Sequence, residues 1–133
     1  MSVFCRHWEI KMADRLTHNA DCFAILGEEF DHVNGWLDAC AAKYPPPLFL
    51  EYHRKFRHHD RGVKEVRQKW GIKAEEAAKI HIIRDVEIYI NREGKPFIEY
   101  CTYDKLDKIY KQALKYCHDW QGPLDERWLK GLK

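Results

Sequence analysis

The sequence has no C-x-x-C pair, no phosphate-binding glycine loop, no long apolar run and almost no net charge. Each absence removes a class. Cysteine occurs at Cys5, Cys22, Cys40, Cys101 and Cys117, an odd number with apolar neighbours. That pattern argues against a disulfide frame or a thiolate metal site and predicts reduced, buried thiols in a cytoplasmic protein. The lack of a charged-then-apolar leader and of a long apolar stretch predicts neither a signal peptide nor a membrane span. A formal charge of +2 gives no bulk electrostatic case for nucleic-acid binding. No Ser-His-Asp order occurs, and no cysteine nucleophile paired with a histidine stands out.

What is present is histidine, aromatic area and helical periodicity. The 133 residues suit one domain, 1–133, and include five Trp, seven Tyr and six Phe to fill a core. Of eight histidines, His53, His58 and His59 crowd into Glu51–Asp60. Treated as a helix over 48–70, this segment puts Tyr52, Phe56, Val63, Val66 and Trp70 on one buried face. His59 falls within that face, His53 and Asp60 flank it, and His58 points to the opposite side. The basic run Arg54, Lys55, Arg57, Arg61, Lys64, Arg67 and Lys69 reads as the solvated face of the same helix. A single helical histidine is usually an ordinary surface or core residue. Here others recur on neighbouring segments.

Those segments are read in order. In residues 1–12, Phe4, Arg6, Trp8 and Ile10 are two apart, which suits a short strand. With Met12-Ala13-Asp14 resembling a natural start, the extension reads as either an alternative beginning or a loosely attached arm. A short helix over 13–26 ends at Gly27. A clear amphipathic helix over 28–43 carries Phe30, Val33, Leu37, Cys40 and Tyr44 as its stripe, with His32 and Trp36 at the border. Gly35 costs that helix about 1 kcal/mol, tolerable where another backbone or a ligand must come close. Pro45-Pro46-Pro47 ends it. Gly71 ends the central helix. Over 73–85 a further helix places Ala74, Ala77, Ala78, His81 and Asp85 on one narrow face. There the alanines admit a close neighbour, and His81 and Asp85, four apart, reach one point. Val86–Tyr100 alternates around the turn-like Asn91–Pro96 and predicts a β-hairpin over 86–101. A last helix spans 103–118. The expected fold is mainly α: a compact bundle of about five helices with one small β-hairpin.

The order His18, His32 before Trp36-Leu37-Asp38-Ala39, His53-Arg54, Arg57-His58-His59, Gly62, Trp70-Gly71 and His81…Asp85 resembles a domain-of-unknown-function family of short His-rich bacterial and phage proteins. The resemblance covers roughly residues 18–85. It implies that these histidines work together and implies no chemistry. A weaker resemblance is to the HD-type metal phosphohydrolases. It makes His59-Asp60 the His-Asp pair, His32 the upstream ligand and Asp85 or Asp119 the distal one. Arg61-Gly62-Val63 departs from that family's usual continuation, and the gap from Asp60 to Asp85 is short for it.

Two functions of different class follow. The first is a divalent-metal site, Zn, Fe, Mn or Ni, built by His32, His59, His81 and Asp85, with His18, His53, His58 and Asp60 as further candidates. Such a site with an open position suits phosphoester hydrolysis, with Arg54 or Arg57 receiving an anionic substrate. The second is a non-enzymatic interaction protein, such as a phage-encoded inhibitor or adaptor. Its histidines are structural, and it contacts a protein partner or a second copy. The sequence does not decide whether the chain is an enzyme.

Overall fold

A computed structural model describes residues 14–39 and 57–117. The arm 1–12, the triple proline, His53, Arg54, Cys5, Cys40 and the last sixteen residues lie outside the described residues. Within them the chain forms α1 (Arg15–Leu26), α2 (Asp31–Leu37), α3 (Asp60–Trp70), α4 (Ile72–Ile90), the single turn α5 (Phe97–Tyr100) and α6 (Leu106–Ala113). Tight 3₁₀ turns, Tyr103–Lys105 and Leu114–Tyr116, flank α6. The helical bundle is as expected.

The longest of these helices, α4, is the axis. α1, α2, α3 and α6 all pack on it. Its sequence explains this. Ala74, Ala77 and Ala78 are fully buried, so neighbouring helices approach closely, and Ile80, Ile82, Ile83 and Val86 fill the space between. Val33 and Leu37 from α2, Val63 and Val66 from α3, and Leu106, Ile109 and Ala113 from α6 complete the core. Cys22 and Cys101 are buried thiols, and burial pushes each up to about 12.

Local chemistry sets the helix ends. Asp14 caps α1 by accepting from the Thr17 backbone N–H at 2.8 Å, and Gly27 ends it at φ 86°. Gly71 at φ 98° turns the chain from α3 straight into α4. Gly35 sits beneath the Arg15 guanidinium, where a Cβ would collide with it. The close approach at this glycine is made by a side chain of α1, not by the backbone or ligand expected.

Two expectations need correction. The β-hairpin over 86–101 is not there: no strand occurs among the described residues, and α4 runs on to Ile90. Apolar residues at 82, 83 and 86 are buried while Ile88 is half exposed, which is a helical period rather than strict alternation. The turn chemistry was real but joins helices. The Asn91 amide donates to the Lys95 carbonyl at 2.7 Å and accepts from the Lys95 N–H at 3.2 Å, and Gly94 takes φ 69°. The second correction concerns the helix expected over 48–70. Its described part begins only at Asp60, and residues 57–59 are not helical. His59 is extended, and its Nδ1 accepts from the Gly62 N–H at 3.1 Å, which caps α3. Gly62 is required there because a Cβ would run into the Arg57 carbonyl. Gly62→Ala is therefore expected to destabilise the fold by about 1–3 kcal/mol, read as a lower urea midpoint. An unchanged midpoint would mean that the turn yields freely.

Candidate metal centre

Four segments each send a donor to one buried point. His18 comes from α1, Asp38 follows the end of α2, His58 lies in the turn before α3, and His81 and Asp85 come from α4. His81 and Asp85 are one turn apart, so their side chains lie side by side, with His81 Nε2 to Asp85 Oδ2 at 3.3 Å. His58 Nε2 is 3.0 Å from Asp85 Oδ2 and 3.0 Å from His81 Nε2. His18 Nε2 is 3.1 Å from the other oxygen of Asp85, and its ring stacks on His81 with centroids 3.5 Å apart. Asp38 Oδ1 closes the group at 3.1 Å from His81 Nε2 and 3.5 Å from His58 Nε2. One donor atom from each of His18, Asp38, His81 and Asp85 lies within 4.8 Å of all the others.

These side chains are buried, with Asp38 alone reached by solvent, at 18% of its side-chain surface. Two carboxylates facing three neutral imidazoles carry a formal charge of −2 in a low-dielectric setting, which is costly without positive charge. Protons meet part of that need. Burial opposes a charge on His81, but the Asp38 and Asp85 carboxylates outweigh it and push the imidazole up to about 10. Burial likewise opposes a charge on Asp85, yet the attraction of His18 and His81 holds its carboxyl well below the usual carboxylate range. Protons do not complete the bonding, however. The other ring nitrogen of His18, Nδ1, makes no hydrogen bond, an expensive arrangement for a buried imidazole. With metal–ligand bonds of about 2.0–2.2 Å, neighbouring donors around one ion sit roughly 3.0–3.5 Å apart. The closest contacts, 3.0–3.5 Å, lie in that range, and the group as a whole is within 4.8 Å.

No protein-family model, curated protein or solved structure matches this chain. The site therefore rests on its own geometry.

That geometry sorts the residues singled out in the sequence. His18, His58, His81 and Asp85 come together. His58, expected on the far side of a helix, turns inward because its segment is not helical. His32 is an exposed residue whose ring meets the edge of Trp70, with centroids 5.1 Å apart, and it is not in the cluster. His59 is buried but spends Nδ1 on the α3 cap and borders a small cavity of about 100 Å³ with Asp60, Leu114 and Cys117. Asp60 accepts from the Tyr110 hydroxyl at 2.8 Å and pairs with Lys64 at 3.1 Å. Arg57 is buried too: it donates to the Trp36 carbonyl at 2.6 Å and lies over the Trp36 ring, which leaves it badly placed to receive a substrate. Of the ligands that the HD-type resemblance implies, Asp85 sits in the cluster, His32, His59 and Asp60 lie elsewhere, and Asp119 is outside the described residues.

Two participants were missed. Asp38 is a donor, and Asn34 holds His81 Nδ1 at 2.9 Å. The signal for both was present: Asn34 and Asp38, four apart, border the Val33–Leu37 stripe of α2. An imidazole at position 32 drew the reading to the wrong face.

Proposed function

We propose that this protein binds one divalent transition-metal ion through His18, Asp38, His58, His81 and Asp85. The observation that carries the reading is that donor atoms of His18, Asp38, His81 and Asp85 lie within 4.8 Å of one another inside the bundle, with His58 Nε2 3.0 Å from both His81 and Asp85. Mixed nitrogen and oxygen donors suit Zn²⁺, Fe²⁺, Mn²⁺ or Ni²⁺ better than Mg²⁺ or Ca²⁺, which favour oxygen alone. A −2 donor set is neutralised by a 2+ ion.

The finer reading is hydrolysis of a phosphoester. Asp38 supports it, because the donor that solvent reaches marks the side from which water and substrate can approach. Such an ion supplies Lewis acidity and a more acidic bound water. The chain's own part is to hold the donors rigidly and exclude water from the other sides. Elemental analysis of tag-free protein, followed by an assay with bis(p-nitrophenyl) phosphate, tests both levels. We expect about one equivalent of metal per chain and chelator-sensitive release of nitrophenol. One equivalent without turnover would leave a structural ion and remove the hydrolase.

Less than a tenth of an equivalent, unimproved by adding ions back, would remove the metal and favour the interaction protein. One observation supports that second reading. Leu16 and Phe23, two turns apart on α1, are 76% and 61% exposed, which is more apolar surface than a solvated helix needs.

A further inference from the structure

We propose that Asn34 is a positioning residue for this centre. It fixes His81 in the Nδ1–H form, so that Nε2 presents its lone pair to the ion, and its own polarity is imposed from the protein surface. The proposal rests on the metal reading above.

The inference comes from following donors and acceptors along one chain of side chains. It begins at Asp31, whose carboxylate can only accept. Asp31 is held by Arg15, with contacts of 2.9 Å and 3.2 Å from Nε and Nη2. Asp31 Oδ1 also accepts from Asn19 Nδ2 at 2.8 Å. The amide of Asn19 is thereby oriented, and its Oδ1 is left facing Asn34. Asn34 must then donate: its Nδ2 reaches Asn19 Oδ1 at 2.8 Å and the Glu29 carbonyl at 3.1 Å. Cys22 Sγ is a longer third contact of the same nitrogen at 3.8 Å. All three partners face Nδ2 as acceptors, and a backbone carbonyl cannot exchange roles. Asn34 Oδ1 is therefore an acceptor, and it lies 2.9 Å from His81 Nδ1. The proton of that contact belongs to His81.

The other end of the ring follows. With Nδ1 protonated, a neutral His81 has its lone pair on Nε2. That nitrogen faces Asp38 Oδ1, Asp85 Oδ2 and His58 Nε2 at 3.1, 3.3 and 3.0 Å. In the metal-free protein a second proton on Nε2 meets these oxygens, and when an ion displaces that proton the same nitrogen turns its lone pair to the cation. The chain Arg15–Asp31–Asn19–Asn34–His81 thus runs from an exposed ion pair into the centre and ties α1, α2 and α4 together. Gly35 permits its outer end, because Arg15 lies across the surface where a side chain would stand.

The test uses the full-length protein loaded with Zn²⁺ and three variants. Asn34→Ala removes the acceptor and is expected to weaken zinc binding by about 10–100-fold. Asn34→Asp keeps an acceptor toward His81 while losing both donations, so it should bind zinc within about threefold of the parent while being less stable. Asp31→Asn, at the surface, removes the anchor and should give a smaller loss, about threefold, with the fold intact. Long-range ¹H–¹⁵N spectra of the parent are expected to show His81 protonated at Nδ1, with and without metal. A structural role alone would lower the stability of Asn34→Ala and Asn34→Asp alike and leave zinc affinity unchanged. That pattern, or His81 protonated only at Nε2 in the metal-free protein, overturns the proposal. A parent that takes up no metal but shows the Nδ1 proton removes the metal reading, and with it this role for Asn34, while leaving the relay's polarity correct. If Asn34→Ala does not fold, the Asp31→Asn affinity and the spectra of the parent still decide.

Discussion

Replacing Asp85 with alanine is expected to reduce bound metal from about one equivalent to under a tenth and to destabilise the metal-free protein by about 3–5 kcal/mol at neutral pH. The size of the effect follows from position. Asp85 is the hub: one of its oxygens serves His18, and the other serves His58 and His81. It is 98% buried on its side chain, so water does not replace it. Its loss leaves neighbouring imidazoles, one of them favouring the charged form, without the carboxylate between them. Asp38→Ala should do less to stability because solvent already reaches Asp38. His59→Ala provides the contrast. It removes the α3 cap, at about 1 kcal/mol, and should keep the metal. Elemental analysis and urea denaturation on the three variants check the ranking. Full metal content in Asp85→Ala, or its loss in His59→Ala alone, would place the centre elsewhere.

The second large effect is the response to chelation and pH. An ion at a thousand times its dissociation constant adds about 4 kcal/mol, on the order of 10 °C in Tm for a domain of this size. The gap between loaded and stripped protein should widen as pH rises. In the stripped protein His81 is raised from 6.5 to about 10, so the proton's stabilisation is full below about 6.5 and is lost as pH rises toward 10. Asp85 is shifted the other way. Its contribution is full above the ordinary value of 3.8 and is lost only in stronger acid, as pH falls through its lowered value. The stripped protein is therefore steadiest between about 4 and 6.5 by these two groups. Metal, by contrast, must displace the His81 proton, so its apparent affinity gains roughly tenfold per pH unit over the range below 10. Calorimetric scans with and without chelator at pH 6, 7 and 8 should diverge progressively. A constant gap would mean that no proton leaves when the ion enters.

How much of this could be read from the residues depended on whether the backbone was helical where the wheel was applied. The His81–Asp85 pair and its alanine face lay in a true helix, so a spacing of four translated directly into a shared direction. The stripe of α2 was legible for the same reason. The histidine-rich segment failed because Gly62 and the His59 cap hold 57–59 in a turn that no period describes. His58 was consequently sent outward and His59 given its place. The hairpin failed differently: Val86–Ile90 alternates over a window too short to separate two periods, and β-branched residues favoured the wrong one. The packing of α4 decided it. Asp38 and Asn34 were overlooked because the helix was read through to residue 43, where two interior polar residues beside a histidine draw no attention.

The donors come from widely spaced parts of the chain, with His18 and Asp85 at its extremes (85 − 18 = 67 positions apart). No short peptide cut from this protein can reproduce such a centre, and during folding it exists only after the most distant pairings have closed. An ion bound there acts as a late-arriving clasp: it has little to grip in the transition state and much to hold afterwards. Its influence should therefore fall on how slowly the native molecule comes apart rather than on how quickly it assembles.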